Sequence, residues 1–193
     1  MRGGQAIALL GETIPPGSMR RVLWSGGQSF DGSSDQTPVL VINGTGQGPT
    51  LCLTGAIHGD ELNGIEIVRR VTQDLEPARI RGAVIGIPIV NLQGFRRGSR
   101  YLPDRRDLNR HFPGNPNGSA ASRIAWSLFD GIIRHCDGLV DVHTGSLNRT
   151  NLPQLRADLR DAKVREFVQG FGGMLVLHNP GRPGTLRYAA ARA

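Results

Sequence analysis

His58 and Glu61 stand three residues apart in the run Gly55-Ala56-Ile57-His58-Gly59-Asp60-Glu61. In a helical turn, side chains at that spacing project on one face, so an imidazole nitrogen and a carboxylate oxygen can converge on a borderline-soft cation such as zinc. The pair alone is weak, because the same letters also describe a surface turn with a solvated glutamate. A third donor in a matching setting changes that. His143 closes the apolar run Leu139-Val140-Asp141-Val142-His143, and the two-residue period of a strand puts Asp141 on the same side. A carboxylate beside a ligating imidazole orients the ring and raises its basicity, although Asp141 could equally contact substrate or a loop amide. His58, Glu61 and His143 together offer two nitrogens and one oxygen. One zinc position is then left for water, the composition of a hydrolytic site and not of a closed structural one.

Arginines are the second chemical signal. The stretch from Arg100 to Gly114 carries Arg100, Arg105, Arg106 and Arg110, with Asn109 among them. Beside an electrophilic metal, one arginine can stabilise the negative oxygen that develops on an attacked carbonyl. Another can clamp a substrate carboxylate in a bidentate fork, a task Asn109 can share.

Elements must bring these residues together. The first part of the chain reads as β-rich, with short apolar runs at 21–25 and 38–43 between Gly-, Ser- and Asp-rich turns. From Thr50 onward strands and helices alternate. A buried strand at 51–57 precedes a helix at about 61–75, carried by Leu62, Ile65, Val68 and Leu75. A strand at 83–91, a long polar loop at 92–118, and an amphipathic helix capped by Ser119 come next. A strand at 138–143, a helix at about 158–171 and a strand at 174–178 complete the pattern. This alternation implies an α/β fold, a sheet covered by helices. In such sheets ligands gather beyond the carboxyl ends of strands, and His58, the arginine loop and His143 all follow strand ends. A loop of about 25 residues inside a compact domain is more often functional than idle.

Composition bounds the alternatives. A chain of 193 residues with 38% hydrophobic and 20% charged residues suits one soluble domain with one principal core. The division expected is a single incomplete domain over 1–193, β-rich to about 45 and α/β from about 46. The longest N-terminal apolar run, Ala6 to Leu10, is too short to span a membrane. Cys52 in a core strand and Cys136 at a helix end read as buried separate thiols, which fits a reducing, cytoplasmic compartment. The net charge of +7 comes almost wholly from arginine, Lys163 being the only lysine. A nucleic-acid partner is disfavoured, because the loop arginines alternate with Asp104 and Asp107 and only Tyr101 could stack on a base. Oligomeric state is not encoded in any of these features.

Taken jointly, His58-Gly59-Asp60-Glu61, the Asp107-Leu108-Asn109-Arg110-His111-Phe112-Pro113-Gly114 stretch and Asp141-Val142-His143-Thr144-Gly145 resemble the succinylglutamate desuccinylase and aspartoacylase family. That family is related to the zinc carboxypeptidases. Gly48-Pro49-Thr50 and the stretch from Thr150 to Leu159 also resemble its deacylase-like branch. The resemblance implies a mixed central sheet flanked by helices, and one Zn2+ ion held by His58, Glu61 and His143. It also implies oxyanion stabilisation by Arg100 and substrate-carboxylate binding by Asn109 and Arg110. The reaction implied is cleavage of an N-acyl amide bond in a small carboxylate-bearing substrate. Carboxypeptidase-like peptide cleavage, or metal and ligand binding without catalysis, are the alternatives. One departure stands out: the family's general base is a glutamate beyond the third metal ligand, after a helix like the one beginning near Gly184. Asp158, Asp161 and Glu166, the carboxylates that follow His143 here, sit in or near a surface helix and make poor substitutes. The expectation is a fold lacking its C-terminal part, with doubtful activity for these 193 residues.

Overall fold

The computed structural model describes residues 1–28, 34–147 and 149–193. A short hairpin, β1 (Ile7–Leu9) and β2 (Glu12–Ile14), turns at Leu10-Gly11 and buries Ile7, Leu9 and Ile14. Two long strands follow, β3 (Ser18–Gln28) and β4 (Ser34–Asn43), antiparallel over most of their length. The Gly/Ser/Asp-rich turn between them falls largely outside the described residues. Next come β5 (Gly46–Thr54), α1 (Asn63–Asp74), β6 (Arg81–Ile87) and α2 (Leu92–Arg96). They are followed by α3 (Ala120–Gly131), β7 (Gly138–Asp141), β8 (Gln154–Ala157), α4 (Ala162–Gln169), β9 (Leu175–His178) and α5 (Leu186–Ala190).

The main sheet is mixed, in the order β3-β4-β6-β5-β7. β4 runs antiparallel to β6, whereas β5 lies parallel to both β6 and β7. The two β-rich N-terminal strands thus extend the same sheet as the α/β portion. Their core is built from alternating apolar positions: Val22 and Trp24 on β3, Val39 and Val41 on β4, Ile85 and Ile87 on β6 are all buried. Helix α3 covers this face with Ala121, Ala125 and Leu128, and Ser119 caps it by accepting from Ser122 N at 3.3 Å.

Register decides where a site can form. Thr54 is aligned with Ile87 on one side and Asp141 on the other, so three parallel strands end at the same edge. Their outgoing segments stay tied together: Gly55 N donates to Ile87 O, Asn91 N to Ala56 O and Val142 N to Thr54 O, each at 2.9 Å.

Four expectations change in detail. The first buried strand ends at Thr54, not at residue 57. Helix α1 buries Gly64, Val68 and Thr72, while Leu62 is 53% exposed, because the small residues give the close approach to the sheet. The 92–118 stretch contains α2 and a single 3₁₀ turn at 108–110, so less of it is irregular than its polarity suggests. A strand forms at 154–157 and pairs in parallel with β9 in a small second sheet, with no strand expected there from the sequence.

The cysteines need a correction too. Cys52 and Cys136 are joined in a disulfide with their Cα atoms 5.9 Å apart. β7 lies beside β5, which brings the segment entering β7 against Cys52, and a sequence separation of 84 hides that proximity from a linear reading. The disulfide replaces the two separate thiols on which a reducing compartment was expected. Among the described residues, no helix is long and apolar enough to cross a membrane.

Candidate metal centre

The segment after β5 turns sharply, with Ala56 at φ 46°, a left-handed conformation unfavourable for a residue bearing Cβ. Two residues later comes His58, and Glu61 N donates to His58 O at 3.1 Å, closing a one-turn bend just before α1. The bend, not the helix itself, puts the two side chains on one side. Gly59 lets it lie against α2, since a Cβ there would fall 2.1 Å from the Gly94 carbonyl carbon. His143 arrives from beyond β7. One ligand atom from each of His58, Glu61 and His143 lies within 4.8 Å of the others.

Ring orientation carries the chemistry. His58 presents Nδ1 to Glu61 Oε1 at 2.8 Å, and His143 presents Nδ1 to Glu61 Oε2 at 2.8 Å. Each outer nitrogen meets another carboxylate: His58 Nε2 lies 3.1 Å from Asp107 Oδ1, and His143 Nε2 lies 2.8 Å from Asp141 Oδ2. Asp141 is steadied in turn by Thr54 Oγ1, which donates to its Oδ1 at 2.7 Å. A carboxylate only accepts, so an imidazole bonded to carboxylates through both nitrogens is protonated on both.

The electrostatics agree. Burial opposes a charged His58 ring, but its hydrogen bonds to Asp107 and Glu61 outweigh that and raise its pKa. For His143 burial also opposes the charge, yet Asp141 and Glu61 push it up to about 10. Burial of Glu61 favours its neutral form, and the two imidazoles overcome this and hold it well below the usual carboxylate range. Asp107 is held low against its own burial by His58 and Arg100.

These residues fit a divalent metal. Both Nδ1 atoms and the Glu61 oxygens point inward, and both Nε2 atoms are anchored from outside, the arrangement that fixes ring orientation in carboxylate–histidine–zinc triads. The inner protons are the ones a cation would replace.

Arg100 reaches this group from the loop after α2. Its Nη1 donates to Glu61 Oε1 at 3.2 Å and to Ser146 Oγ at 2.9 Å, and its Nη2 donates to Asp107 Oδ2 at 3.0 Å. Asn109 is 8% exposed, and its Oδ1 accepts from Leu186 N at 2.8 Å, seating the first turn of α5. The Asn109 amide nitrogen remains as a donor. Arg110 lies at the rim, its Nη2 3.8 Å from Asp107 Oδ2.

The six residues singled out from the sequence therefore cluster around one carboxylate, Asp107, and one ligand, Glu61. Sequence reasoning passed over Asp107 itself, as well as Ser146 and Asp60. Asp107 offered a signal, a carboxylate inside the same Asp-Leu-Asn-Arg stretch. Ser146 offered only its place three residues after His143. The later carboxylates stay apart: Asp158 pairs with Arg160 at 2.7 Å, Asp161 caps α4 by accepting from Lys163 N at 2.8 Å, and Glu166 lies exposed on α4.

Comparison with known proteins decides the family. Residues 47–193 match the model of the succinylglutamate desuccinylase/aspartoacylase catalytic domain. The chain belongs to the succinylglutamate desuccinylase/aspartoacylase family. Among curated relatives of this family, it is 36% identical over 141 residues to the N-alpha-acetyl-L-2,4-diaminobutyric acid deacetylase of Halomonas elongata, covering 70% of this chain and 41% of that protein. The crystal structure of a succinylglutamate desuccinylase/aspartoacylase from Rhodobacter sphaeroides superimposes with a TM-score of 0.71 at 29% identity, covering 78% of this chain and 48% of that one. The product-bound ectoine utilization protein EutE (DoeB) from Ruegeria pomeroyi gives a TM-score of 0.75 at 26% identity, covering 93% and 58%. The family chain described here thus spans about half the length of these relatives. Its mixed sheet flanked by helices is the zinc carboxypeptidase-like fold that the sequence implied.

Proposed function

We propose that this chain forms the metal- and substrate-binding part of a zinc-dependent hydrolase. The bond cleaved is the amide of a small N-acylated, carboxylate-bearing substrate. The observation that carries this reading is the inward turn of His58 Nδ1 and His143 Nδ1 onto Glu61, with Asp107 and Asp141 holding the opposite nitrogens. His58, Glu61 and His143 are the residues that would hold one zinc ion. When bound, zinc supplies Lewis acidity, acidifying water and polarising an acyl carbonyl.

The protein's own residues do the rest. Arg100 has three of its N–H groups on Glu61, Ser146 and Asp107, and among the described residues its two others take no partner. Those two can meet the oxygen that becomes negative as the carbonyl is attacked. The Asn109 amide and the Arg110 guanidinium would pair with a substrate carboxylate, a charge-assisted contact that would fix which end of the substrate enters. The deacetylase from Halomonas elongata supports an N-acetylated amino acid as the first substrate to try.

Among the described residues around the centre, the carboxylates other than Glu61 already have partners. Asp107 and Asp141 are both engaged with imidazoles, and Asp158, Asp161 and Glu166 make their contacts elsewhere. The expected behaviour is zinc binding with a preference for N-acetylated substrates over peptides. A panel of N-acetyl amino acids and C-terminal dipeptides, assayed on zinc-loaded protein, tests this. Preference for the N-acetyl compounds supports the reading. Turnover of neither class contradicts it, and preference for dipeptides favours peptide cleavage.

A further inference from the structure

Ser146 belongs to no ligand set, yet it is among the most enclosed polar side chains near the metal centre, at 2% exposure. Its hydroxyl has three polar neighbours: Arg100 Nη1 at 2.9 Å, Glu61 Oε1 at 3.0 Å and Asp60 Oδ1 at 3.2 Å. A hydroxyl carries one proton, and a guanidinium can only donate. Toward Arg100, therefore, the oxygen accepts, and its single proton goes to one of the two carboxylates.

The backbone around Ser146 is built to hold that oxygen in place. Ser146 O accepts from Arg149 Nε at 3.0 Å, and Asp60 Oδ2 accepts from Leu147 N at 3.3 Å. Asp60 thereby ties the segment carrying Glu61 to the segment that follows His143. A Cβ at position 145 would sit 2.1 Å from Arg149 O, so Gly145 is needed for this close turn.

The consequence concerns how Arg100 is aimed. Its Nη1 is shared between a neutral oxygen, Ser146 Oγ, and a charged one, Glu61 Oε1. With a cation held at Glu61, that carboxylate would be a weaker acceptor for Arg100. Ser146 is then left as the tether on that nitrogen, with its proton free to turn to Asp60. A neutral tether leaves the guanidinium charge uncompensated on that side, which favours an anion arriving at the remaining N–H groups.

We propose that Ser146, backed by Asp60, is a positioning residue that aims Arg100 at the developing oxyanion when the metal occupies Glu61. The proposal rests on the zinc-hydrolase reading above. Its contribution is selective for a tetrahedral anion over a planar amide, because only the former presses charge against Arg100.

The test is calorimetric, on the zinc-loaded 193-residue chain. The probes are a phosphonamidate analogue of an N-acetyl amino acid, tetrahedral and anionic, and the planar N-acetyl amino acid itself. Ser146→Ala is expected to weaken phosphonamidate binding by ~10-fold or more, the effect of removing a hydrogen bond to a charged group. Planar-ligand affinity and zinc content stay unchanged, and Ser146→Thr restores the loss. In an Arg100→Ala background, Ser146→Ala adds no further loss, since the two act as one unit. Ser146→Cys, similar in shape and a poor acceptor, carries the same expectation should the alanine variant unfold. Unchanged phosphonamidate affinity in Ser146→Ala, an equal loss in the Arg100→Ala background, or zinc lost along with affinity overturns the proposal while the metal reading stands. Wild-type protein that takes up no zinc at all overturns both.

Discussion

At the residue scale, the pattern of protons around Glu61 is the most informative feature. In the metal-free protein both His58 and His143 donate from two nitrogens to carboxylates, so each holds a proton that a metal must displace. Zinc binding near neutral pH is therefore expected to release a proton from each ring. Calorimetry in buffers of different ionisation enthalpy measures that release, and a proton count of zero contradicts the ring assignments. The pH dependence follows in sign. The raised His143 pKa, about 10, stabilises the metal-free fold fully below the ordinary imidazole range, and this contribution fades as pH rises toward about 10. Zinc affinity runs the opposite way, rising with pH over the same window. The outer carboxylates give a second prediction: Asp107→Asn and Asp141→Asn should each weaken zinc binding by ~10- to 100-fold while leaving the fold intact. Competition with a chromogenic chelator reads that loss, and wild-type affinity in both variants counts against the carboxylate–imidazole pairs.

At the scale of elements, three parallel strands ending level at Thr54, Ile87 and Asp141 make the site possible. The tight bend after β5 is its most constrained part. Gly59→Ala puts a methyl group where the Gly94 backbone lies, 2.1 Å from its carbonyl carbon. Overpacking of that kind costs about 1–3 kcal/mol, and because the bend carries His58, zinc affinity should fall with stability. Urea denaturation and metal titration of the variant check both, and an unperturbed site would show that the bend is looser than its geometry states. A second break, read by the same urea denaturation, is Asn109→Ala, which leaves Leu186 N without its buried acceptor and should cost about 1–3 kcal/mol by freeing the start of α5. Much of this was legible beforehand. His58 and His143 follow the ends of strands β5 and β7, Glu61 stands three residues after His58, and Arg100 lies in the long loop that follows β6 and α2. Asp107 was not legible as a partner of His58, because 49 residues separate them and only the level strand ends bring them together. The Cys52–Cys136 pairing was hidden for the same reason. Gly64 and Thr72 facing the sheet in α1 defeated the apolar pattern, since close packing there selects for small size and not for hydrophobicity.

For the whole molecule, the order of the chain mirrors a division of labour. The N-terminal strands widen the sheet and bury its core, the middle supplies every residue of the candidate site, and the last stretch packs α5 against the arginine loop through Asn109 and the Phe112–Gly184 bridge. Family membership rests on residues 47–193, the part that holds the whole constellation. The proposed function requires that His58, Glu61 and His143 hold one zinc ion. Metal content of purified wild-type protein against His58→Ala, Glu61→Ala and His143→Ala, by plasma mass spectrometry after loading with zinc and desalting, tests it directly. About one zinc per wild-type chain and strong depletion in each variant are expected, in line with the loss of one of three protein ligands. Undiminished zinc in all three variants would contradict it.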